Sequence, residues 1–254
     1  MIYKPKRKFG QNFLIDKDAL NKLIDFIQPN KEDFFIEIGP GLGALTIMLI
    51  EYLKTLVVIE IDKDLINFLK KKFENKNLTI IHSDILKFDF LKLSTKKKIR
   101  VVGNLPYNIS SLTLFHMLNF KYYVLDQHFL LQKEVAQRMV ASPGSKNYGR
   151  LSVMLQCRYK MNLLLVLKPS SFYPSPKVES ALVRMIPKVE ELPCDEKKLA
   201  KVVTKAFSKR RKIIKNCFLN IFSENDLENV GIDPKSRPEN LTVKQYIDLA
   251  KELH

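Results

Sequence analysis

Strand-like and helix-like segments alternate through the first half of this sequence. Apolar runs typical of short buried strands occur at residues 33–39, 55–62, 78–85 and 98–106. Segments with apolar residues at helical spacing occur before the first of these runs, at residues 19–27, and between later ones, at residues 45–53 and 63–73. This alternation predicts βαβ units around a parallel sheet, an α/β Rossmann-like fold, because parallel strands need a long crossover that is usually a helix.

The pattern changes towards the C-terminus. The sequence predicts a strand running into a helix within residues 128–140, and further strands within 151–167 and 180–187. Helical periodicity then dominates, first over one long segment and then over two short ones: 197–222, 223–232 and 243–253. We therefore predict a mixed α/β domain over residues 1–188 and a small all-α C-terminal domain over residues 189–254.

The chain is strongly basic. It carries 43 Lys and Arg residues against 27 Asp and Glu residues, a net charge of +16. Such a charge on a chain that is 46% hydrophobic predicts a folded protein with a polyanionic partner, either nucleic acid or an anionic membrane surface. The alternative is a compositional bias towards lysine, which this Lys-, Ile- and Asn-rich sequence also shows.

Several classes of protein are disfavoured by what the sequence lacks. No apolar run reaches the roughly 18–20 residues that a bilayer-spanning helix needs, and the basic N-terminus has no apolar signal region. The cysteines Cys157, Cys194 and Cys217 form no CxxC pair, so no metal site and no disulfide framework is indicated. We expect a cytoplasmic protein that needs no metal.

A glycine-rich turn, EIGPGLGAL at residues 37–45, follows the first predicted strand and opens a helix. Glycines there let the backbone turn tightly and leave room for a ligand to approach. The spacing Gly39-x-Gly41-x-x-Ala44 also fits the dinucleotide fingerprint, although glycine-rich turns without ligands are common. Gly39 and Gly41 are therefore candidate cofactor-binding residues.

Acidic residues end the next two predicted strands. Glu60 stands about 20 residues beyond the first glycine, where a carboxylate can accept both hydroxyls of a ribose. Asp84 can accept from an adenine amino group, and the backbone N–H of Ile85 can reach a ring nitrogen. The alternative is that both acids are helix caps or exposed loop residues. With the glycine turn beside them, they favour a ligand that contains adenosine.

Glu37 helps to choose between two such ligands, NAD and S-adenosylmethionine. It precedes Gly39 by two residues and is expected to face the same crevice. A pyrophosphate would be disfavoured beside an acid, whereas a ligand with an ammonium and a sulfonium group would be favoured. We therefore predict S-adenosylmethionine.

The segment Asn104-Leu105-Pro106-Tyr107 follows the fourth predicted strand. The Asn104 amide oxygen and the Leu105 carbonyl can accept hydrogen bonds, Pro106 keeps Leu105 extended, and Tyr107 offers a face for stacking. This set suits methylation of the exocyclic amine of a base that is turned out of its stack, with Phe172 as a candidate second stacking face. The alternative is an ordinary turn, since Asn and Pro favour turns.

These motifs are similar to those of the small-subunit (16S) ribosomal RNA adenine N6-dimethyltransferases of the KsgA type. The similarity extends through nearly the whole chain. It rests on KRKFGQNFL (6–14), EIGPGLGALT (37–46), VIEIDKDL (58–65), GNLPYNIS (103–110), LQKEVAQRMVASPGSKNYGRLSV (131–153), FYPSPKVES (172–180), AFSKRRKIIKN (206–216) and RPENLTVKQY (237–246).

The resemblance implies an S-adenosylmethionine-dependent methyltransferase fold with a seven-stranded sheet. It implies dimethylation of two adjacent adenosines near the 3′ end of small-subunit ribosomal RNA, within a 30S subunit or its precursor and with a role in small-subunit biogenesis. It also implies that Asn12 and Leu14 contact the cofactor, together with Gly39, Glu60, Asp84 and Asn104. We expect the enzyme to be a monomer.

The basic stretch FSKRRKIIKN lies within the long predicted helix, where so many charges cannot face a core. The usual interpretation of such a run is a solvated helix surface. Given a predicted RNA methyltransferase, we assign Arg210, Arg211 and Lys212 to RNA contacts.

Three other functions stay open on the sequence. The Erm-type methyltransferases of large-subunit RNA share the catalytic motifs, although the C-terminal matches favour the small subunit. A non-catalytic assembly factor could use the same fold as a scaffold. The intact segment Asn104–Tyr107 and the acids Glu60 and Asp84 disfavour this function. An NAD-linked oxidoreductase is disfavoured because no hydride-transfer residues are evident.

Overall fold

The computed structural model describes residues 3–93 and 97–253. The strands within them are β1 (Phe13–Leu14), β2 (Phe34–Ile38), β3 (Leu56–Glu60), β4 (Leu78–His82), β5 (Ile99–Asn104), β6 (Val124–Gln132), β7 (Tyr159–Leu167), β8 (Phe172–Tyr173) and β9 (Ser180–Pro187). The helices are α1 (Lys17–Ile27), α2 (Ala44–Tyr52), α3 (Lys63–Lys72), α4 (Ser110–Leu118), α5 (Lys133–Met139), α6 (Arg150–Gln156), α7 (Glu196–Ser208), α8 (Ile214–Cys217), α9 (Glu224–Asn229) and α10 (Val243–Glu252).

A seven-stranded sheet has the order β4-β3-β2-β5-β6-β9-β7. The pairs β4–β3, β3–β2, β2–β5 and β5–β6 are parallel, and β6–β9 is antiparallel. The prediction of a parallel α/β sheet is therefore confirmed. The strand order reverses between β2 and β5, and ligands in open α/β sheets bind beside the carboxyl ends of the strands at such a point.

The core of the sheet is apolar because its central strands are covered by helices. Phe35 on β2, Leu56 on β3 and Val102 on β5 are fully buried in one cluster with residues of α1 and α2. The apolar face of α1 supplies Leu23 and Ile27 to that cluster. Buried apolar area of this kind is the main stabilising contribution to such a layer.

The described residues form two compact units. One lies within residues 1–136 and 162–187 and contains the seven-stranded sheet apart from the start of β7; the other lies within 137–161 and 188–254. In the second unit α7 packs against α6 and α10, and the Phe207 ring lies 6.3 Å from Tyr148 and 5.8 Å from Tyr246. The predicted boundary after residue 188 stays a prediction.

Two predictions from periodicity are wrong. Residues 151–156 of the predicted strand 151–167 belong to α6, in which Ser152 to Leu155 are all buried. A short segment with apolar residues on every side fits a strand or a buried helix equally well. The helix predicted over 197–222 ends at Ser208 and resumes as α8, so that Ile214 and Cys217 are fully buried. Because the apolar residues on both sides of the turn keep the same helical spacing, the sequence pattern gives no sign that the helix ends there.

Among residues 3–93 and 97–253, none of the helices combines the length and the apolar composition that spanning a bilayer requires.

Candidate functional site

A cavity of about 240 Å³ lies at the carboxyl edge of the parallel strands. Its lining brings together nearly all the residues that the sequence singled out for cofactor binding and catalysis. They are Asn12, Leu14, Glu37, Gly39, Gly41, Glu60, Asp84, Ile85, Asn104, Leu105, Pro106 and Tyr107.

The glycine turn that joins β2 to α2 forms part of this lining. Gly39 and Gly41 have φ of +66° and +57°, a region that disfavours residues with a side chain. A Cβ on Gly41 would lie 2.8 Å from the Phe13 ring, whereas a Cβ on Gly39 would meet no atom closer than 4.0 Å. Gly41 thus permits close packing of the N-terminal segment, and Gly39 leaves space for a ligand.

Glu37 lies in the same cavity and is only 2% exposed. Its Oε2 accepts a hydrogen bond of 2.6 Å from the Thr46 hydroxyl on α2. Burial raises the pKa of the Glu37 carboxyl to about 7; the Thr46 bond opposes this and the Glu60 charge adds to it. A buried carboxylate with one neutral partner is a site where a cation is favoured.

Replacing Glu37 with Gln is expected to change how stability depends on pH. Because the folded pKa exceeds the unfolded value, the folded state binds more protons, so stability falls as pH rises from about 4.5 to 7. Glu37→Gln should remove that slope and raise the unfolding free energy of the cofactor-free protein above pH 7 by up to about 3 kcal/mol. Urea unfolding at pH 5, 6, 7 and 8 measures this.

The exposed Glu51 on α2 provides the matched control, Glu51→Gln. It should leave the pH slope of the wild type unchanged. A Glu37→Gln protein that kept the wild-type slope would show that Glu37 is not the titrating group.

Glu60 and Asp84 line the cavity and also bind the backbone. Glu60 Oε1 accepts from the N–H groups of Ile61 and Asp62 at 2.8 and 2.9 Å, and Asp84 Oδ1 accepts from Leu86 N at 3.0 Å. Burial raises the pKa of Glu60, and the backbone donors counteract it. The cap interpretation therefore holds for Asp84, whose bond begins a short helical turn, while both carboxyl groups lie beside the space for a ligand.

The segment from Asn104 to Tyr107 ends β5 at this cavity. Asn104 Nδ2 donates to the Asn12 carbonyl at 2.8 Å, and Leu105 N donates to the Leu130 carbonyl at 2.9 Å. The Tyr107 hydroxyl lies 2.8 Å from Ser180 Oγ, and burial raises the pKa of this hydroxyl, which keeps it neutral. These bonds hold the Asn104 amide and the Tyr107 ring in place at the C-terminal end of β5.

Phe172 does not line the cavity in this structure. It is 3% exposed, pairs with Leu14 in the two-stranded sheet of β1 and β8, and belongs to the core cluster with Leu20 and Leu23. Its role as a second stacking face stays a prediction.

The predicted RNA-contacting residues lie in the turn between α7 and α8 of the second unit and not on a helix. Arg211 and Lys212 are exposed. Arg210 is half-buried, and its guanidinium donates to Glu239 Oε2 at 2.7 Å and to the Lys146 carbonyl at 2.6 Å. Arg210 therefore holds two other parts of this unit together.

The sequence analysis did not predict three hydrogen bonds within this site. Thr46 binds Glu37, Ser180 binds Tyr107, and the Asn12 backbone binds Asn104. Thr46 stands nine residues after Glu37, so a strand-turn-helix prediction could have paired them. The other two contacts span 73 and 92 residues, and no local pattern signals them.

Among the described residues, no group of three or more His, Cys, Asp or Glu is arranged to hold a metal ion.

This chain is similar to known proteins along almost its whole length. A family model described as "Ribosomal RNA adenine dimethylase" matches residues 2–254. Two relatives, both named "Ribosomal RNA small subunit methyltransferase A", are 54% identical (Janthinobacterium sp. strain Marseille) and 52% identical (Herminiimonas arsenicoxydans), each covering 100% of both chains.

Two solved structures are also similar. A dimethyladenosine transferase from Plasmodium falciparum is 27% identical with a TM-score of 0.81, covering 93% of this chain and 95% of that one. The 23S rRNA methyltransferase ErmE is 23% identical with a TM-score of 0.73, covering 95% and 99%, and shows the shared fold. Since the family model spans almost every residue and the relatives are more than half identical along their whole length, the chain belongs to the ribosomal RNA adenine dimethylase family.

Proposed function

We propose that this enzyme transfers methyl groups from S-adenosylmethionine to the N6 amines of two adjacent adenosines near the 3′ end of small-subunit ribosomal RNA. The observation that carries the proposal is that Asn104 and Tyr107 line the same cavity as Glu37, Glu60 and Asp84. Asn104 and Tyr107, which can bind a base and its amine, thus lie beside three acids that can bind the adenosine and the cationic tail of the cofactor.

The residues at the end of β5 address the weak nucleophilicity of the amine. Its lone pair is delocalised into the ring, so acceptors that hold its hydrogens localise the pair on nitrogen. Asn104 Oδ1 and the Leu105 carbonyl supply these acceptors and stabilise the positive charge that develops on nitrogen. The Tyr107 ring stacks on the extruded base and offsets part of the cost of unstacking it. No strong base is needed, since the proton leaves after the methyl group arrives.

The lining also fits the donor. When bound, S-adenosylmethionine supplies an electrophilic methyl group. Glu60 would hold the ribose hydroxyls, Asp84 and the Ile85 N–H would hold the adenine edge, and Glu37 would face the cationic tail. The open space above Gly39 supports this assignment, because a side chain there would fill it. Asn12 and Leu14 would close the same site from the N-terminal segment.

The remaining assignments concern the substrate particle. We assign the chemistry to residues 1–188 and RNA contacts to residues 189–254, with Arg211 and Lys212 on phosphates and Arg210 beside them. The enzyme acts as a monomer in the cytoplasm on a 30S subunit or its precursor, and it needs no metal. The net charge of +16 supports a polyanionic substrate.

Neutralising the basic turn is expected to weaken RNA binding and reduce its salt dependence. Each lost phosphate contact lowers the slope of log K against log salt by about 0.7–0.9, so Arg211→Gln with Lys212→Gln should lower it by about 1.5. Binding to 30S subunits measured between about 50 and 200 mM KCl gives this slope. The control is Lys235→Gln with Lys244→Gln, which removes the same charge from exposed positions. An unchanged slope would exclude the turn from the interface.

The proposed function is tested by methyl transfer from labelled S-adenosylmethionine to small and large subunits purified from a strain that lacks this enzyme. Mass spectrometry of digested RNA then locates dimethyladenosine. Label at adjacent adenosines of small-subunit RNA supports the proposal. Label in large-subunit RNA would assign an Erm-type activity, and tight binding of cofactor and subunit without label would assign an assembly factor.

A further inference from the structure

The orientation of the Asn104 side chain depends on one contact with the N-terminal segment. A carbonyl oxygen can only accept a hydrogen bond, so the Asn104 atom that lies 2.8 Å from the Asn12 carbonyl is the amide nitrogen. Rotating the Asn104 amide by about 180° would place its Oδ1 against the Asn12 carbonyl oxygen, and neither of these two acceptors can donate a hydrogen. The contact therefore leaves Oδ1 as the atom available to the target amine.

The Asn12 carbonyl is held in place from one side by β1. Phe13 and Leu14 pair with Tyr173 and Phe172 of β8, and both are buried. The Phe13 ring packs so close to Gly41 that even a methyl group there would collide with it. Asn12 itself thus lies between the glycine turn and the end of β5.

Asp62 anchors the other end of the same segment. It is only 2% exposed, and its carboxylate lies 2.6 Å from both the Tyr3 hydroxyl and Lys6 Nζ, and 3.3 Å from Gln11 Nε2. Burial acts to raise the pKa of Asp62, but the bonds from Lys6 and Tyr3 outweigh it and lower the pKa to about 2. The anchor is therefore charged throughout the physiological range.

The anchor also belongs to the turn that follows Glu60. Asp62 N donates to Glu60 Oε1 at 2.9 Å, and Asp62 Oδ1 accepts from Asp64 N at 3.0 Å to begin α3. Residues 3–14, which we call the N-terminal strap, thus run from the proposed ribose-binding turn to the amide at the end of β5.

We propose that the N-terminal strap is a positioning element: its Asn12 carbonyl sets the orientation of the Asn104 amide, and Asp62 keeps that carbonyl in place through Tyr3, Lys6 and Gln11. This inference rests on the proposed transfer to a base amine, because Oδ1 must face that amine. Tyr3, Lys6 and Asp62 do not line the cavity and act on Asn104 through the Asn12 carbonyl, whereas Asn12 and Leu14 also line the proposed cofactor site.

The test uses the full-length protein with the strap anchor weakened in two ways. Asp62→Asn keeps an oxygen that can begin α3 but loses the charge, and Tyr3→Phe with Lys6→Met removes two donors from the strap while leaving Asp62 intact. Lys4→Met is the control, because Lys4 is exposed and lies in the same segment. Lys6→Arg, unlike Lys6→Met, retains a cation that can bind Asp62, so this variant should keep the wild-type function.

The first readout is the NMR signal of the Asn104 side-chain amide in cofactor-free protein, labelled with ¹³C and ¹⁵N at asparagine. We expect slow exchange and a hydrogen-bond coupling to the Asn12 carbonyl in the wild type, Lys4→Met and Lys6→Arg. Both should be lost in the two anchor variants. This readout does not depend on which RNA is methylated, so it separates the strap proposal from the proposed function.

The second readout is the single-turnover methylation rate at saturating cofactor and subunit. We expect a fall of about 10-fold or more in the anchor variants, with KM for the subunit changed less than about threefold, because misplacement acts on the chemical step. An unaltered Asn104 signal in both anchor variants, or a lost signal with a normal rate, would overturn the proposal.

Discussion

Replacing Asn104 with Ala is expected to slow methyl transfer by about 10²-fold or more, the usual effect of losing one preorganised hydrogen-bonding group at a reacting centre. The side chain is half-buried at the end of β5, with Nδ2 bound to the Asn12 carbonyl and Oδ1 left as an acceptor. Alanine removes the acceptor and keeps the backbone, so the loss should fall on the chemical step.

Single-turnover methylation of 30S subunits at saturating cofactor measures this effect. Binding of the subunit should change little, because the phosphate contacts assigned to the basic turn are unaffected. Asn119→Ala at an exposed position after α4 is the matched control and should keep the wild-type rate. An Asn104→Ala enzyme with an undiminished single-turnover rate would exclude the amide from the chemistry.

The elements that carry this site were predictable because their signals are local. The strand before Gly39 is a short apolar run, and the strands before Glu60 and Asp84 are similar. Parallel pairing then brings their carboxyl ends to one edge, as the register of Ile38 against Ile59 and Gly103 shows. Local patterns and one topological rule were therefore enough to bring together the predicted lining residues from Glu37 to Tyr107, whereas Asn12 and Leu14 were predicted from the family resemblance alone.

The contacts that orient the site were not predictable in this way. The bond between Asn104 and the Asn12 carbonyl joins a side chain to a backbone group 92 residues away, and any residue type at position 12 would supply the carbonyl. The burial of Phe172 has a similar origin, because its partner Leu14 lies in a two-residue strand too short to show any period. Tertiary packing decides such positions.

The break between α7 and α8 shows the same limit for the RNA-binding assignment. Periodicity continues across Lys209 and Ile213, so one long helix was predicted where the structure has a turn. The turn separates the three basic residues into different environments: Arg210 binds Glu239, while Arg211 and Lys212 stay exposed. A charge run in a sequence does not distinguish a cation that binds RNA from one that binds its own protein.

The largest expected effect on stability comes from Asp126, which lies near the start of β6. Its two oxygens accept from Arg100 Nε and Nη2 at 2.8 and 2.9 Å, and Arg184 adds a third bond at 3.1 Å. Arg100 is 6% exposed and also donates to Asp33 and to the Ile27 carbonyl at the end of α1. One buried guanidinium thus joins β5, β6 and α1.

Asp126→Ala is expected to lower the free energy of unfolding by an amount at the lower end of about 3–5 kcal/mol, because the buried Arg100 loses its two-oxygen partner and keeps only the partly exposed Asp33 as a carboxylate partner. Neighbouring His128 cannot replace the lost charge: burial lowers its pKa to about 4, so it is neutral at pH 7, and a protonated ring would add a further positive charge. Urea unfolding measures the loss. Asp25→Ala, at an exposed position on α1, is the control.

The pH dependence and a double substitution identify the cause. Burial acts to raise the pKa of Asp126, but Arg100 outweighs it and lowers the pKa, so the contribution is present above about pH 4 and is lost only as pH falls further. The destabilisation by Asp126→Ala should therefore be the same at pH 6 and pH 8, whereas the stabilisation expected from Glu37→Gln depends on pH in this range. Arg100→Met combined with Asp126→Leu should be less unstable than the sum of the single variants, because the buried pair is removed as a unit and only the partly exposed Asp33 and Arg184 lose a partner. Additive losses would mean that the two side chains stabilise β5 independently.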